Sequence, residues 1–120
     1  MEQITTVEQL EAVIKLAMDK AYEAAHDYLK NELQGVDQYA CGFAWTAINE
    51  YDGKRITGNT KMGRLLKKAG IGQNYMRQFY IWNPAKIAVQ NVDCIEAGAR
   101  AAAEVFNAHG FRASSGSRLD

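Results

Sequence analysis

The chain has 120 residues, 48% of them apolar and 23% charged, with one proline, which is enough apolar content for one packed core and too little length for two ordinary domains. This composition argues against disorder, no stretch approaches the roughly 20 apolar residues of a membrane span, and an N-terminus that is acidic and polar (Met1 to Thr6) is not expected to be a secretory leader. The formal net charge of zero conceals three blocks: residues 1–52 carry ten acids and three bases, residues 53–92 eight bases and no acid, and residues 93–120 four acids and three bases.

Val7, Leu10, Ile14, Ala17, Ala21, Ala25 and Tyr28 recur at three- and four-residue spacing, which predicts a helix from Thr6 to about Gln34. Thr6 and Gln9 are spaced for a capping box, and Gly35 is a natural stop. A helix of that length either spans a small domain, kinks, or protrudes to meet another copy. Residues 38–49 read as a strand whose faces differ. Tyr39, Cys41, Phe43 and Trp45 point one way; Ala40, Gly42, Ala44 and Thr46 point the other. The small-residue face is expected to pack on a later alanine-rich helix, leaving the aromatic face for the long helix or for a ligand.

Asp52-Gly53 signals a turn. A short basic helix is expected near 60–69, with Met62, Leu65, Leu66 and Ala69 inward and Lys61, Arg64, Lys67 and Lys68 outward. Residues 75–82 and 86–90 read as two strands joined at Asn83-Pro84. The last helix is expected over 94–108, capped by Asp93 with Glu96, its inward row being Ile95, Gly98, Ala99, Ala102 and Phe106. Phe111 to Ser114 can form a short edge strand, followed by a polar tail. The expected fold is a single α+β domain over 1–120: a long N-terminal helix and an Ala/Gly-rich C-terminal helix on a small, mainly antiparallel sheet, in the order α-β-α-β-β-α-β.

Cys41, Cys94, His26 and His109 are the right kinds of ligand for zinc, but none is paired at the short spacing of a structural site, so no metal or other cofactor is expected. Cys94, near a helix start, is a candidate nucleophile or a small buried residue, and the second reading is favoured. Gly58, Asn59 and Thr60 match neither phosphate-loop fingerprint, yet they lead into a helix whose free amides favour anions. With the acid-free block around them, they suggest that Lys61 and Arg64 hold phosphate. Tyr80 or Trp82 would stack a base, and Gln90, Asn91 and Asp93 would read its edge or a ribose. The alternatives are core aromatics and helix capping.

The runs Tyr39-Ala40-Cys41-Gly42-Phe43-Ala44-Trp45, Trp82-Asn83-Pro84, Gln90-Asn91-Val92-Asp93, Glu96-Ala97-Gly98-Ala99 and Ser117-Arg118-Leu119-Asp120 resemble a family of small, mostly uncharacterised proteins encoded by tailed bacteriophages. The likeness covers residues 36–120 and brings no assigned residue roles. It implies a protein of the bacterial cytoplasm that acts against host defence. Together these readings favour a non-enzymatic phage accessory protein that binds an anionic, nucleotide-like small molecule and acts as a homo-oligomer. An inhibitor of a host protein or nucleoprotein complex is the alternative, and a small nucleotide-processing enzyme the third. Nucleic acid is the less favoured ligand, and a membrane is not expected.

Overall fold

In the computed structural model, residues 3–120 are described; Met1 and Glu2, part of the N-terminal stretch read above as no leader, lie outside the described residues. Helix α1 (Val7–Asn31) begins with the expected capping box: Gln9 N–H donates to Thr6 Oγ1 at 3.2 Å, and Gln9 Oε1 accepts from Thr6 N–H at 3.1 Å. Its buried row is Leu10, Val13, Ile14, Ala17, Ala21 and Ala25. The helix ends earlier than expected because Gln34 and Gly35 turn to positive φ (51° and 79°), and Gly35 N–H reaches back to Leu29 O at 2.7 Å. Its 25 residues extend about 37 Å at 1.5 Å each, against a longest molecular extent of 43 Å. It therefore spans the molecule.

The fold is α+β, with three helices and a five-stranded sheet whose pairings are all antiparallel. The strands are β1 (Gly42–Tyr51), β2 (Lys54–Arg55), β3 (Gly72–Gln73), β4 (Phe79–Trp82) and β5 (Phe111–Leu119). Helix α2 (Lys61–Lys68) lies between β2 and β3 in sequence, and α3 (Val92–Ala108) precedes β5. β1 is central. On one side it pairs with β5 from Gly42↔Leu119 to Tyr51↔Phe111; on the other it pairs with β4 at Trp45↔Trp82 through Ile48↔Phe79, and then with β2 at Glu50↔Arg55. A register shift between Ile48 and Glu50 bends the β1–β5 ladder.

The two faces of β1 have different neighbours, as its alternation of small and aromatic residues requires. Thr46, fully buried, donates its hydroxyl to Ala99 O of α3 at 2.8 Å, and Gly42 lies against Val92. The expected contact between the small-residue face and the alanine-rich helix is therefore present. The opposite side of α3 meets α1: Gly98 sits so close that a Cβ there would stand 3.1 Å from Ala21 O. α3 thus lies between the sheet and α1, which explains why Ile95, Gly98, Ala99, Ala102 and Phe106 are all buried. The long helix does not cover the aromatic face.

Five expected boundaries are corrected. The first strand begins at Gly42 rather than 38, because Tyr39 adopts φ 70° and the Asp37 carboxylate accepts from the Gln90 and Asn91 amides (2.9 and 3.0 Å). The expected strand 75–82 shrinks to Phe79–Trp82, since Asn74 Oδ1 accepts from Met76 and Gln78 N–H and folds the preceding residues into a turn. Residues 86–90 are not a strand: Asn83 and Lys86 have positive φ, and the segment instead lays Ala85 and Ile87 into the core. α3 starts at Val92, capped by Asn91 rather than Asp93, with Asn91 Oδ1 accepting from Cys94 N–H at 2.8 Å. The closing segment is also longer than expected, a nine-residue strand that includes most of the polar tail.

Candidate functional site

Strand register assembles an aromatic surface on the face of the sheet turned away from α3. Trp45 and Trp82 are cross-strand partners with parallel rings (2° between planes, centroids 5.9 Å apart), and Phe43 lies 5.4 Å from Trp82. Trp82 is 47% exposed, unusual for so large an apolar side chain. Tyr80, opposite Ala47, is the next aromatic along β4. On the β5 side the Arg118 guanidinium lies 5.3 Å above the Phe43 ring, a cation–π contact. Beside it Gly116 is the floor for Trp45: any Cβ there would fall 2.6 Å from the indole.

A cleft of about 710 Å³ opens on this surface, lined by Trp45, Tyr80, Trp82 and Arg118 and by the amides of Gln73, Asn74 and Gln78. Tyr75 and Met76 rise at its rim, 95% and 71% exposed. Met76 and Gln78 also line a second cleft with Arg55 and Arg77; Arg55 in turn lines a third with Lys54, Thr60 and Lys61. Neighbouring clefts thus share lining residues, and the third, which also takes in Ile4, Tyr51, Met62 and Leu65, opens round the β2 edge toward α2. Glu50 lies in the second cleft and is held by Arg112 at 3.3 Å, and Asp52 lies in the third. Among the described residues no ion pair engages Arg55, Arg77, Arg118 or Lys61.

The residues singled out in the sequence fall into three places. Tyr80 and Trp82 belong to the aromatic face. Thr60, Asn59, Lys61 and Arg64 lie at the start of α2. There Thr60 is the N-cap, accepting from Gly63 N–H at 3.1 Å and donating to Thr57 O. Arg64 donates to Asn59 O at 2.7 Å, and Lys67 donates to Gly58 O at 3.2 Å. These two cations brace the loop on which a phosphate was expected to rest, while Lys61 stays exposed and faces the third cleft. Gln90, Asn91 and Asp93 stand at the third place, the start of α3. Asn91 is 2% exposed, its carbonyl spent on the cap and its amide on Gln38 O (2.7 Å), so it cannot read a base. Gln90 accepts from the Cys41 thiol at 3.5 Å, and Asp93 is exposed in the first turn of the helix.

Sequence reasoning did not single out Arg118, Arg77, Arg55, Gln73 or Gln78. Arg118 lies opposite Phe43 only through a ladder between segments far apart in sequence, and nothing local signals that. The Cys94 thiol is buried and donates to Ala25 O at 3.2 Å. Burial pushes its pKa up and the nearby Asp37 adds to the effect, which disfavours the thiolate a nucleophile requires. Among the described residues no three or more of His, Cys, Asp and Glu gather in a metal-holding arrangement, and no helix is long and apolar enough to cross a membrane.

Fold and site together define an α+β chain with an open, cation-rimmed aromatic sheet face. The chain matches no known protein family, no curated protein and no solved structure.

Proposed function

We propose that the protein binds a nucleotide-type anion through this face, the base stacking on Trp82 and Trp45 and the phosphate meeting Arg118 or Arg77. The observation that carries the reading is the parallel Trp45–Trp82 pair, with Trp82 half open to solvent, beside Arg118, which has no acidic partner among the described residues. The neighbouring Gln73, whose Nε2 donates to Arg77 O at 2.9 Å, turns its amide toward the cleft as an edge-reading group, whereas the Gln78 amide, like that of Asn91, is held at both ends, by Asn49 and Asn74. The likeness to tailed-phage proteins supports a setting in the bacterial cytoplasm, where such a protein would withhold a nucleotide-derived defence signal from its receptor.

Nucleotides and cyclic dinucleotides are expected to quench tryptophan emission, whereas ribose 5-phosphate, which lacks a base, leaves it unchanged. Trp82→Ala should weaken binding about ten- to a hundredfold, since one base–aromatic stack contributes roughly 1–3 kcal/mol. Unaltered emission with every base-containing ligand would dispose of the reading. The protruding Tyr75 and Met76 favour a second reading, a surface that inhibits a host protein, which would then take first place.

The same proposal includes a two-fold dimer through α1, whose Leu16 and Tyr22 are exposed on a helix rich in both charges. Light scattering should give twice the 13.4 kDa chain mass at high micromolar concentration; the mass of one chain would rule the dimer out.

A further inference from the structure

Resting on the stacking reading above, we infer that the ligand is a single-stranded nucleic acid several nucleotides long, running along β1 from Arg118 toward Lys61. Three observations carry this. First, the surface is an open face, which leaves room for a ligand longer than one nucleotide beyond the first stacking position. Second, the stacking and polar groups recur on successive rungs of the ladder. Arg118 stands opposite Phe43, Trp82 opposite Trp45, and Tyr80 opposite Ala47; Gln78 follows, hydrogen-bonded to Asn49 at 2.7 Å. Same-face rungs are about 6.8 Å apart. That is roughly twice the 3.4 Å rise of stacked bases, so a strand lying here has its bases splayed onto separate platforms.

Third, the cations are strung out rather than gathered. Arg118 stands at the Phe43 rung, Arg55 stands opposite Glu50 in the β1–β2 register, and Lys61 lies in the adjoining cleft. The seven residue-to-residue steps from Phe43 to Glu50 cover about 24 Å of strand. No single nucleotide reaches from one end to the other, but a chain of three or four does. The acids on the path are few: Glu50 is neutralised by Arg112, and Asp52 lies among Lys54, Arg55 and Lys61. The charge thus suits a polyanion whose bases, not only its phosphates, are exposed. A duplex is excluded as the main ligand because its bases cannot reach the tryptophans.

The test uses the full chain with fluorescently labelled thymidine and uridine oligonucleotides of one, two, four and eight residues, and an eight-base-pair duplex. Affinity is expected to rise at least tenfold between the mononucleotide and the eight-mer, with the duplex weaker than the single strand of equal length. The log–log salt slope for the eight-mer should approach about −2, since Arg118, Arg55 and Lys61 each contribute roughly −0.7. Arg118→Ala and Arg55→Ala, at opposite ends, should each make that slope shallower by about 0.7 while leaving the circular-dichroism melt in place. Comparing the thymidine and uridine series shows whether DNA or RNA is preferred. Binding that is independent of length, or a duplex that binds as well as the single strand, overturns the inference. If mononucleotides still quench the tryptophans in that case, the stacking reading survives; if no base-containing ligand does, both fall together.

Discussion

Phe106→Ala is expected to destabilise the protein by about 3–5 kcal/mol, the range for deleting a buried aromatic ring. Phe106 is fully buried, and its ring meets Phe111 edge-on at 5.4 Å. Phe111 in turn packs on Tyr51 at 4.7 Å, and the Tyr51 hydroxyl accepts from Ile4 N–H. One ring thus ties α3 to the start of β5, the end of β1 and the segment before α1. Because α3 is held on both sides, the space left by the ring cannot close by a simple shift of the helix. Small domains have only about 5–15 kcal/mol of total stability, so the variant should lose a large fraction of it. A urea midpoint within error of the parent would show that the layered core is wrongly assigned.

Gly42→Val is expected to cost about 3 kcal/mol, at the upper end of the usual overpacking range. The first added carbon alone would stand 2.4 Å from Arg118 O and 2.8 Å from a Val92 methyl. The methyl could swing away, but the carbonyl is fixed in the β1–β5 ladder, where Gly42 pairs with Leu119. Relief therefore requires opening the end of that ladder or lifting α3 from the sheet. Gly98→Leu and Ala44→Leu test the two sides of the same helix and should each cost about 1–3 kcal/mol. Three unchanged urea midpoints would mean that α3 does not lie where its neighbours place it. Because the Gly42 change also displaces Arg118, it should weaken ligand binding, whereas Gly98→Leu, on the far side of α3, should not.

The helices and the division of β1 into two faces were legible because each rests on a pattern within one short stretch of chain: the row from Leu10 to Ala25, the basic outer edge of α2, and the small–aromatic alternation of Gly42 to Trp45. The capping of α3 was half legible. Asn91 and Asp93 are both good caps, and the choice went to Asn91 because Asp37, far away in sequence, holds the Gln90 and Asn91 amides in place. β5 was undervalued because Ser114-Ser115-Gly116-Ser117 has the composition of a loop. It is a strand because β1 needs a backbone partner there and because only a glycine at 116 leaves room for the Trp45 indole. At the site, Tyr80 and Trp82 could be picked from the sequence. Trp45 was legible as part of the aromatic face left for the long helix or a ligand, but its pairing with Trp82 and the arrival of Arg118 depend on registers that no local signal encodes. The amide pair Gln90–Asn91 was attractive by residue type, but hydrogen bonding consumed the Asn91 side chain.

The central place of β1 has a consequence for how the chain emerges from the ribosome. The Glu50 and Arg112 that meet across the β1–β5 ladder are 62 residues apart. At 5–20 residues per second, roughly 3–12 s separate the synthesis of those two positions. During that interval β1 can recruit β4, but its other edge and the seat beneath Trp45 stay open. A nascent chain at this stage offers an unpaired strand edge beside a row of aromatic rings, a surface suited to a holding chaperone or to premature pairing with a neighbouring chain on the same message. The polar, serine-rich make-up of β5 fits its position: the segment that closes the sheet last is itself poor in aggregation-prone side chains, so the vulnerable edge is capped by a strand that does not replace it with another sticky one.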